Sequence, residues 1–417
     1  MASRVPASVS LFRGSVQTTT FLIALLFAFT LFSAHVTQAQ TFTVLHSFSG
    51  PDGEYPYSGV TIDGAGNLYG TTSRGGSSQD GTAYELKRSG SAYVLKVLHV
   101  FAGGSDGASP YAPMVYGPNG TLYGTTSLGG GSGNNGTIFN VQPPATICKT
   151  VLCPWNESVL LDFQSAEGAN PAYGGLLFDQ SGNMYGTTQY GGSTNNGSVY
   201  KASLQGQQWT QTMLHSFGSG QTDGVWPMHN VVADRLGNLY GTTYQGGTNG
   251  GGTVFQLVPS GSGWTENIIA NFPAGAEPQA GLIIDAAGNL YGATSGVSGS
   301  TASQVFELSP SGSSWQLTVL QSFTTNRFDF GPVGNLAMDR NGNLYGATYS
   351  LGSHGQGNVF ELSPSANGWT YTDLHDFTGS NDGGGPIGDL TVDTNGNVYG
   401  TTQNGGSGMG VVWEFTP

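Results

Sequence analysis

Four carboxylates in this 417-residue chain have no counterpart at matching places elsewhere in the sequence: Glu54, Glu167, Glu277 and Asp389. Two carboxyl groups about 5 to 9 Å apart can cleave a glycosidic bond, one as acid and the other as base or nucleophile. These four are therefore the candidates if the chain is a glycosidase or lyase, although nothing in the sequence shows that any two of them converge. A second set suits binding without chemistry: Tyr55, Tyr57, Tyr111, Tyr173, Asp223, Trp226 and Asp329. Flat aromatic faces beside carboxylate acceptors fit sugars or polar peptides. Trp226, three residues after Asp223, offers a stacking plane and an acceptor together.

Other reactive residue types read as structure. His46, His99, His215 and His375 share one repeat position, where Asp162, Asn271 and Gln321 stand in other copies. A catalytic or metal-binding role would not survive that exchange, so a polar outer-strand position is expected. Asp63, Asp179, Asp234, Asp285, Asp339 and Asp393 each stand shortly before a Gly-Asn pair. An Asp that bonds the backbone two residues on closes such a turn, and calcium is not needed to explain it. Cys148 and Cys153 are the only cysteines. Two ligands do not make a zinc site, so a local disulfide is expected. The chain shows no nucleophile elbow, phosphate loop or dinucleotide fingerprint, and neither a metal nor a cofactor is expected.

The elements that must position these residues are repeated. Gly-Asn-Leu-Tyr-Gly-Thr-Thr stands at Gly66–Thr72, and its tyrosine recurs at Tyr123, Tyr185, Tyr240, Tyr291, Tyr345 and Tyr399. The shortest interval is 51 residues (240 to 291) and the longest 62 (123 to 185). Each unit holds four strand-like runs: one after a proline, one at Leu-Tyr-Gly, one like Val254-Phe-Gln-Leu257, and one like Leu214-His-Ser-Phe217. Adjacent positions such as Leu239 and Tyr240 are both apolar although they must face opposite ways, as in a sheet covered on both faces. Four-stranded antiparallel units of this size are propeller blades. The expectation is an all-β, seven-bladed β-propeller. Its ring would close by pairing Thr41–Phe48 with Gly410–Phe415, which removes the exposed edge an open array would leave.

Residues 1–39 read as an export signal. Arg4 and Arg13 precede the apolar run Phe21–Phe32, and Thr37-Gln38-Ala39 offers a cleavage site. The run is shorter than a membrane span, so residues 40–417 are expected to be a secreted, monomeric propeller. Acidic residues outnumber basic ones by 25 to 11, which argues against nucleic acid and against an anionic membrane surface.

The series Gly-Asn-Leu-Tyr-Gly-Thr-Thr, Gly-Gly, then Gly-Thr-Val-Phe-Gln-Leu resembles the gloeo/verruco, or GloVer, tandem repeat of bacteria. The resemblance runs from about residue 41 to the end. It implies a secreted or cell-surface repeat protein and brings no catalytic residues with it. The chain ends at Pro417 inside the last repeat, so release is the expectation. The reading that follows is a non-catalytic extracellular protein whose loop-rich face binds a polar ligand, carbohydrate above all.

Overall fold

Each Leu-Tyr-Gly-Thr-Thr copy forms a five-residue strand in which nearly every residue is buried, because it is the second strand of a blade packed on both sides. The computed structural model describes residue 1 and residues 40–117, 120–131, 133–144, 155–171, 173–261, 263–296, 303–323 and 330–417. The expected export signal, both cysteines and Asp329 lie outside the described residues.

Phe42–Thr416 form one unit. It is a seven-bladed β-propeller of antiparallel sheets. Strands are lettered a to d from the centre outward. Blade 4 has Val232–Ala233, Leu239–Thr243, Gly250–Ser260 and Gly263–Pro273 as a to d. It carries one further pairing, Gly224–Val225 with Gln245–Gly246. Blade 3 has Leu177–Phe178, Met184–Thr188, Ser198–Gln205 and Gln208–Ser216. The seventh blade takes its outer strand from the start of the chain: the order is Thr41–Ser47, Val411–Thr416, Val398–Thr402, Thr391–Val392. The Phe48 amide donates to the Gly410 carbonyl at 3.0 Å, continuing that pairing past the strand end.

The apolar residues of a blade split between its two neighbours. Tyr240, Val254 and Phe272 of blade 4 pack with Leu282, Leu290, Phe306 and Leu308 of blade 5. Leu239, Phe255 and Leu257 of blade 4 pack the other way, with Tyr185, Val199 and Phe217 of blade 3. The glycine after each tyrosine makes room for an aromatic ring on strand c. Gly241 is paired with Phe255, and a Cβ added there would stand 2.5 Å from its Cζ.

The two threonines have separate duties. The first reaches the next blade: Thr187 Oγ1 donates to the His229 carbonyl at 2.7 Å, and Thr242 Oγ1 to that of Ala280 at 2.9 Å. Thr401 Oγ1 donates to the Ser58 carbonyl at 2.8 Å, joining the last blade to the first. The second stays within its blade, as Thr243 does with Thr253 at 2.8 Å.

The repeated aspartates close the a–b turns as expected. Asp63 Oδ1 accepts from the amides of Ala65 and Asn67 at 2.8 Å, and Oδ2 accepts from Asn67 Nδ2 at 2.8 Å and from the Tyr69 hydroxyl at 3.2 Å. Burial alone would raise the Asp63 pKa, but these hydrogen bonds together hold it below the ordinary value.

Candidate functional site

The d–a loops and the b–c loops run side by side on one face, joined by short antiparallel bridges such as Glu54 with Arg74 and Ala169 with Tyr190. Within this face, the residue before each repeat proline acts as a backbone clasp. The Trp226 amide donates to the Asn196 carbonyl of the preceding blade, and its own carbonyl accepts from the Tyr244 amide. Tyr55, Ser109, Asn170 and Glu277 make the same pair of bonds. All five hold left-handed φ angles between 52° and 59°, which only glycine adopts without cost.

That clasp fixes where three of the expected site residues point. Tyr55 and Trp226 are partly buried, and Trp226 lies 6.4 Å from the Tyr244 ring. Trp226 thus stands beside the Tyr244 ring, partly covered to the same degree as Tyr57, Tyr111 and Tyr173. Glu277 is only 7% exposed. Its Oε1 accepts from Gln245 Nε2 at 3.4 Å, and its Oε2 has no hydrogen-bond partner.

Two to three residues further on, at the entrance to strand a, four consecutive blades present a ring. Tyr57 meets Tyr111 at 5.2 Å between centroids, Tyr111 meets Tyr173 at 5.4 Å, and Tyr173 stacks on His229 at 6.0 Å. The three tyrosines are partly exposed. Burial, with the neighbouring Tyr111, Tyr173 and Tyr349 hydroxyls, pushes the Tyr57 pKa up to about 12, so it stays a neutral donor. Burial lowers His229 to about 3, so its ring is uncharged at neutral pH.

Blades 4, 6 and 7 place polar groups at the neighbouring position. Asn335 Nδ2 donates to Asn230 Oδ1 at 2.7 Å and to Asp389 Oδ2 at 3.0 Å, and its amide donates to Asp389 Oδ1 at 2.8 Å. Asp389 carries the link on to blade 7, and the Asn335–Asn230 bond reaches from blade 6 to blade 4 across blade 5, which has Gly281 between them. A Cβ there would lie 2.6 Å from Asn335 Oδ1 and 2.8 Å from Asn230 Oδ1. Asp389 keeps some contact with solvent, yet protein surrounds it on most sides. Desolvation raises its pKa to about 6, against the opposing pull of the Asn335 hydrogen bonds.

The four carboxylates singled out for catalysis are spread over different blades. Glu167 is exposed, Glu54 partly buried, Glu277 buried, and Asp389 engaged with Asn335. No hydrogen bond or ion pair among the described residues joins any two of them. Asp223 turns away from Trp226 toward the outer rim, where its Oδ2 accepts from the Ser219 amide and hydroxyl at 2.9 and 3.1 Å.

The rim joins the repeated histidines to acids that sequence reading did not connect with them. Each repeated histidine faces an Asp of the following loop: His46 with Asp52 at 2.9 Å, His99 with Asp106 at 3.1 Å, His215 with Asp223 at 3.8 Å, His375 with Asp382 at 3.3 Å. Glu157 joins the second pair and Glu266 the third. Burial, with the nearby aspartate, pushes Glu157 up to about 7. Burial also lifts Glu266 to about 7, with His215 opposing the rise and Asp223 adding to it. The available signal was that both glutamates stand on outer strands that follow a His-bearing blade.

On the opposite face, a cleft of about 640 Å3 lies between the turns of blades 4 and 5, lined by Asp234, Leu236, Tyr240, Asp285 and Trp315. Its aspartates and Tyr240 are committed to the turn network, so the loop face remains the better candidate.

The Gloeobacter/Verrucomicrobia repeat matches residues 30–158 and 146–329. Among solved structures, a Lactobacillus plantarum protein is 16% identical, with a TM-score of 0.54, 84% of this chain covered and 99% of that one. A candidate 6-phosphogluconolactonase from Bacteroides fragilis is 16% identical, with a TM-score of 0.50 and coverages of 89% and 100%. Another from Bacteroides uniformis is 15% identical, with a TM-score of 0.50 and coverages of 81% and 89%. At these identities the likeness is one of fold alone. No curated protein matches the chain.

Proposed function

The chain belongs to the Gloeobacter/Verrucomicrobia repeat family, and from that premise we propose that it is a secreted, non-catalytic propeller whose loop face binds a polar ligand, carbohydrate above all. The observation that carries this reading is the arc Tyr57–Tyr111–Tyr173–His229, set near the amide and carboxylate groups of Asn230, Asn335 and Asp389. A sugar has an apolar face that stacks on rings and an edge of hydroxyls that needs acceptors. The arc supplies the first and the polar trio the second. Because the trio is already hydrogen-bonded within itself, little ordering is left to be done when a ligand arrives.

The reading is tested by screening the secreted protein on a glycan array and repeating the screen with Tyr111→Ala and Tyr173→Ala. Each substitution should weaken binding at least about tenfold, the scale of a lost aromatic anchor, while the melting temperature holds. Binding that survives both changes, or turnover of a bound glycan, would overturn it.

A further inference from the structure

We propose that His215, Asp223 and Glu266 bind a divalent transition ion, Zn2+ or Mn2+, between the outer strands of blades 3 and 4. His215 is the last residue but one of the outer strand of blade 3, Asp223 lies in the loop after it, and Glu266 stands on the outer strand of blade 4. Their ligand atoms all lie within 4.8 Å of one another. His215 Nε2 is 3.8 Å from Asp223 Oδ1 and 3.6 Å from Glu266 Oε2. Those separations exceed a hydrogen bond. They are close to the roughly 3.4 Å edge of a tetrahedron with bonds of about 2.0–2.1 Å.

Two of these atoms, and the other oxygen of Glu266, lack partners. His215 Nε2, Asp223 Oδ1 and Glu266 Oε1 are buried without a hydrogen bond, and Asp223 is only 7% exposed. A buried, unpartnered carboxylate oxygen is costly unless an ion answers it. One imidazole nitrogen and two carboxylates suit a first-row divalent ion, with water completing its shell. The ligands are also braced from behind. Ser219 grips Asp223 Oδ2 through its amide and hydroxyl, and the His215 ring stands edge-on to Phe217 at 4.6 Å. Such outer contacts hold ligands in register.

The other blades serve as internal controls. His46 has no third acid and closes directly on Asp52 at 2.9 Å. His375 is capped by Phe42, stacked at 3.7 Å. Among the described residues the same three types meet once more, at His99, Asp106 and Glu157, but there His99 Nε2 already bonds both Asp106 oxygens at 3.2 and 3.1 Å. An ion held by His215, Asp223 and Glu266 would tie blades 3 and 4 at their outer edges.

The untagged full-length protein, stripped with EDTA, is titrated calorimetrically with ZnCl2 and with MnCl2, using MgCl2 as control, and melted with and without each ion. One ion per chain is expected for the wild type, and none for Asp223→Asn or Glu266→Gln. His46→Gln should keep that ion. Saturating metal should raise the wild-type melting temperature through linkage, but not that of Asp223→Asn or Glu266→Gln. Circular dichroism in EDTA checks that the near-isosteric variants fold. The proposal rests on the ion that disappears in both Asp223→Asn and Glu266→Gln. It falls if the stripped wild type takes up no ion and melts unchanged, as it would were the seam held by a proton shared between Glu266 and Asp223. It falls equally if either variant binds as many ions as the wild type.

Discussion

A single hydroxyl shows how tightly the repeat constrains its residues. Tyr84 is 0% exposed, and its OH has no hydrogen-bond partner. At the same register, blades 2, 4, 5 and 6 carry Phe139, Phe255, Phe306 and Phe360, each opposite the strand-b glycine. A buried hydroxyl without a partner costs about 1–3 kcal/mol. Tyr84→Phe should therefore raise stability by about 1 kcal/mol, read as a higher denaturant midpoint with an unchanged slope. A lower midpoint would mean that the hydroxyl is satisfied after all. The repeated Asp, Asn and Tyr of the a–b turn were legible as a turn, because Asp bonds its own backbone locally. The tyrosine hydroxyl that completes the network was not, since it arrives from the next strand.

At the scale of the strand, the Tyr-Gly pair can be read from both sides. Tyr291 fills one blade interface, and Gly292 leaves space on the other for Phe306. A Cβ at Gly292 would lie 2.7 Å from Phe306 Cζ and 2.8 Å from Leu282 Cδ2. Gly292→Ala should cost about 1–3 kcal/mol through overpacking. Adding Phe306→Leu should recover part of that, and a double change that melts no higher than Gly292→Ala alone would sink the steric account. The strands were legible because period and burial repeat seven times. The site was less so, for two physical reasons. The left-handed clasp at Trp226 turns that side chain onto Tyr244, and nothing local in the sequence announces the turn. The rim clusters join a strand, its following loop and the next blade, so Glu266 meets His215 from about 50 residues away.

At the scale of the molecule, the first strand belongs to the last blade. Phe48 is buried with Leu68, Tyr84 and Val412, while Phe42 and Val44 pack beside Phe377 and Trp413. Each large apolar side chain is worth roughly 1.5–3 kcal/mol when fully buried. Deleting residues 41–48 should remove several kcal/mol of a total that is typically about 5–15 kcal/mol. A truncated chain melting within a degree or two of the intact one would refute the closed ring. Pairing the two ends also separates the order of synthesis from the order of assembly. The first strand made has no partner until the last has been made, so its contact is among the most distant in the chain and forms late. Until then six finished blades stand with two open flanks, and each flank is a free edge that can accept a strand from another copy. Crowded, half-finished chains can therefore exchange their first strands, and the contact that leaves the mature ring without an edge becomes the route by which two rings interlock.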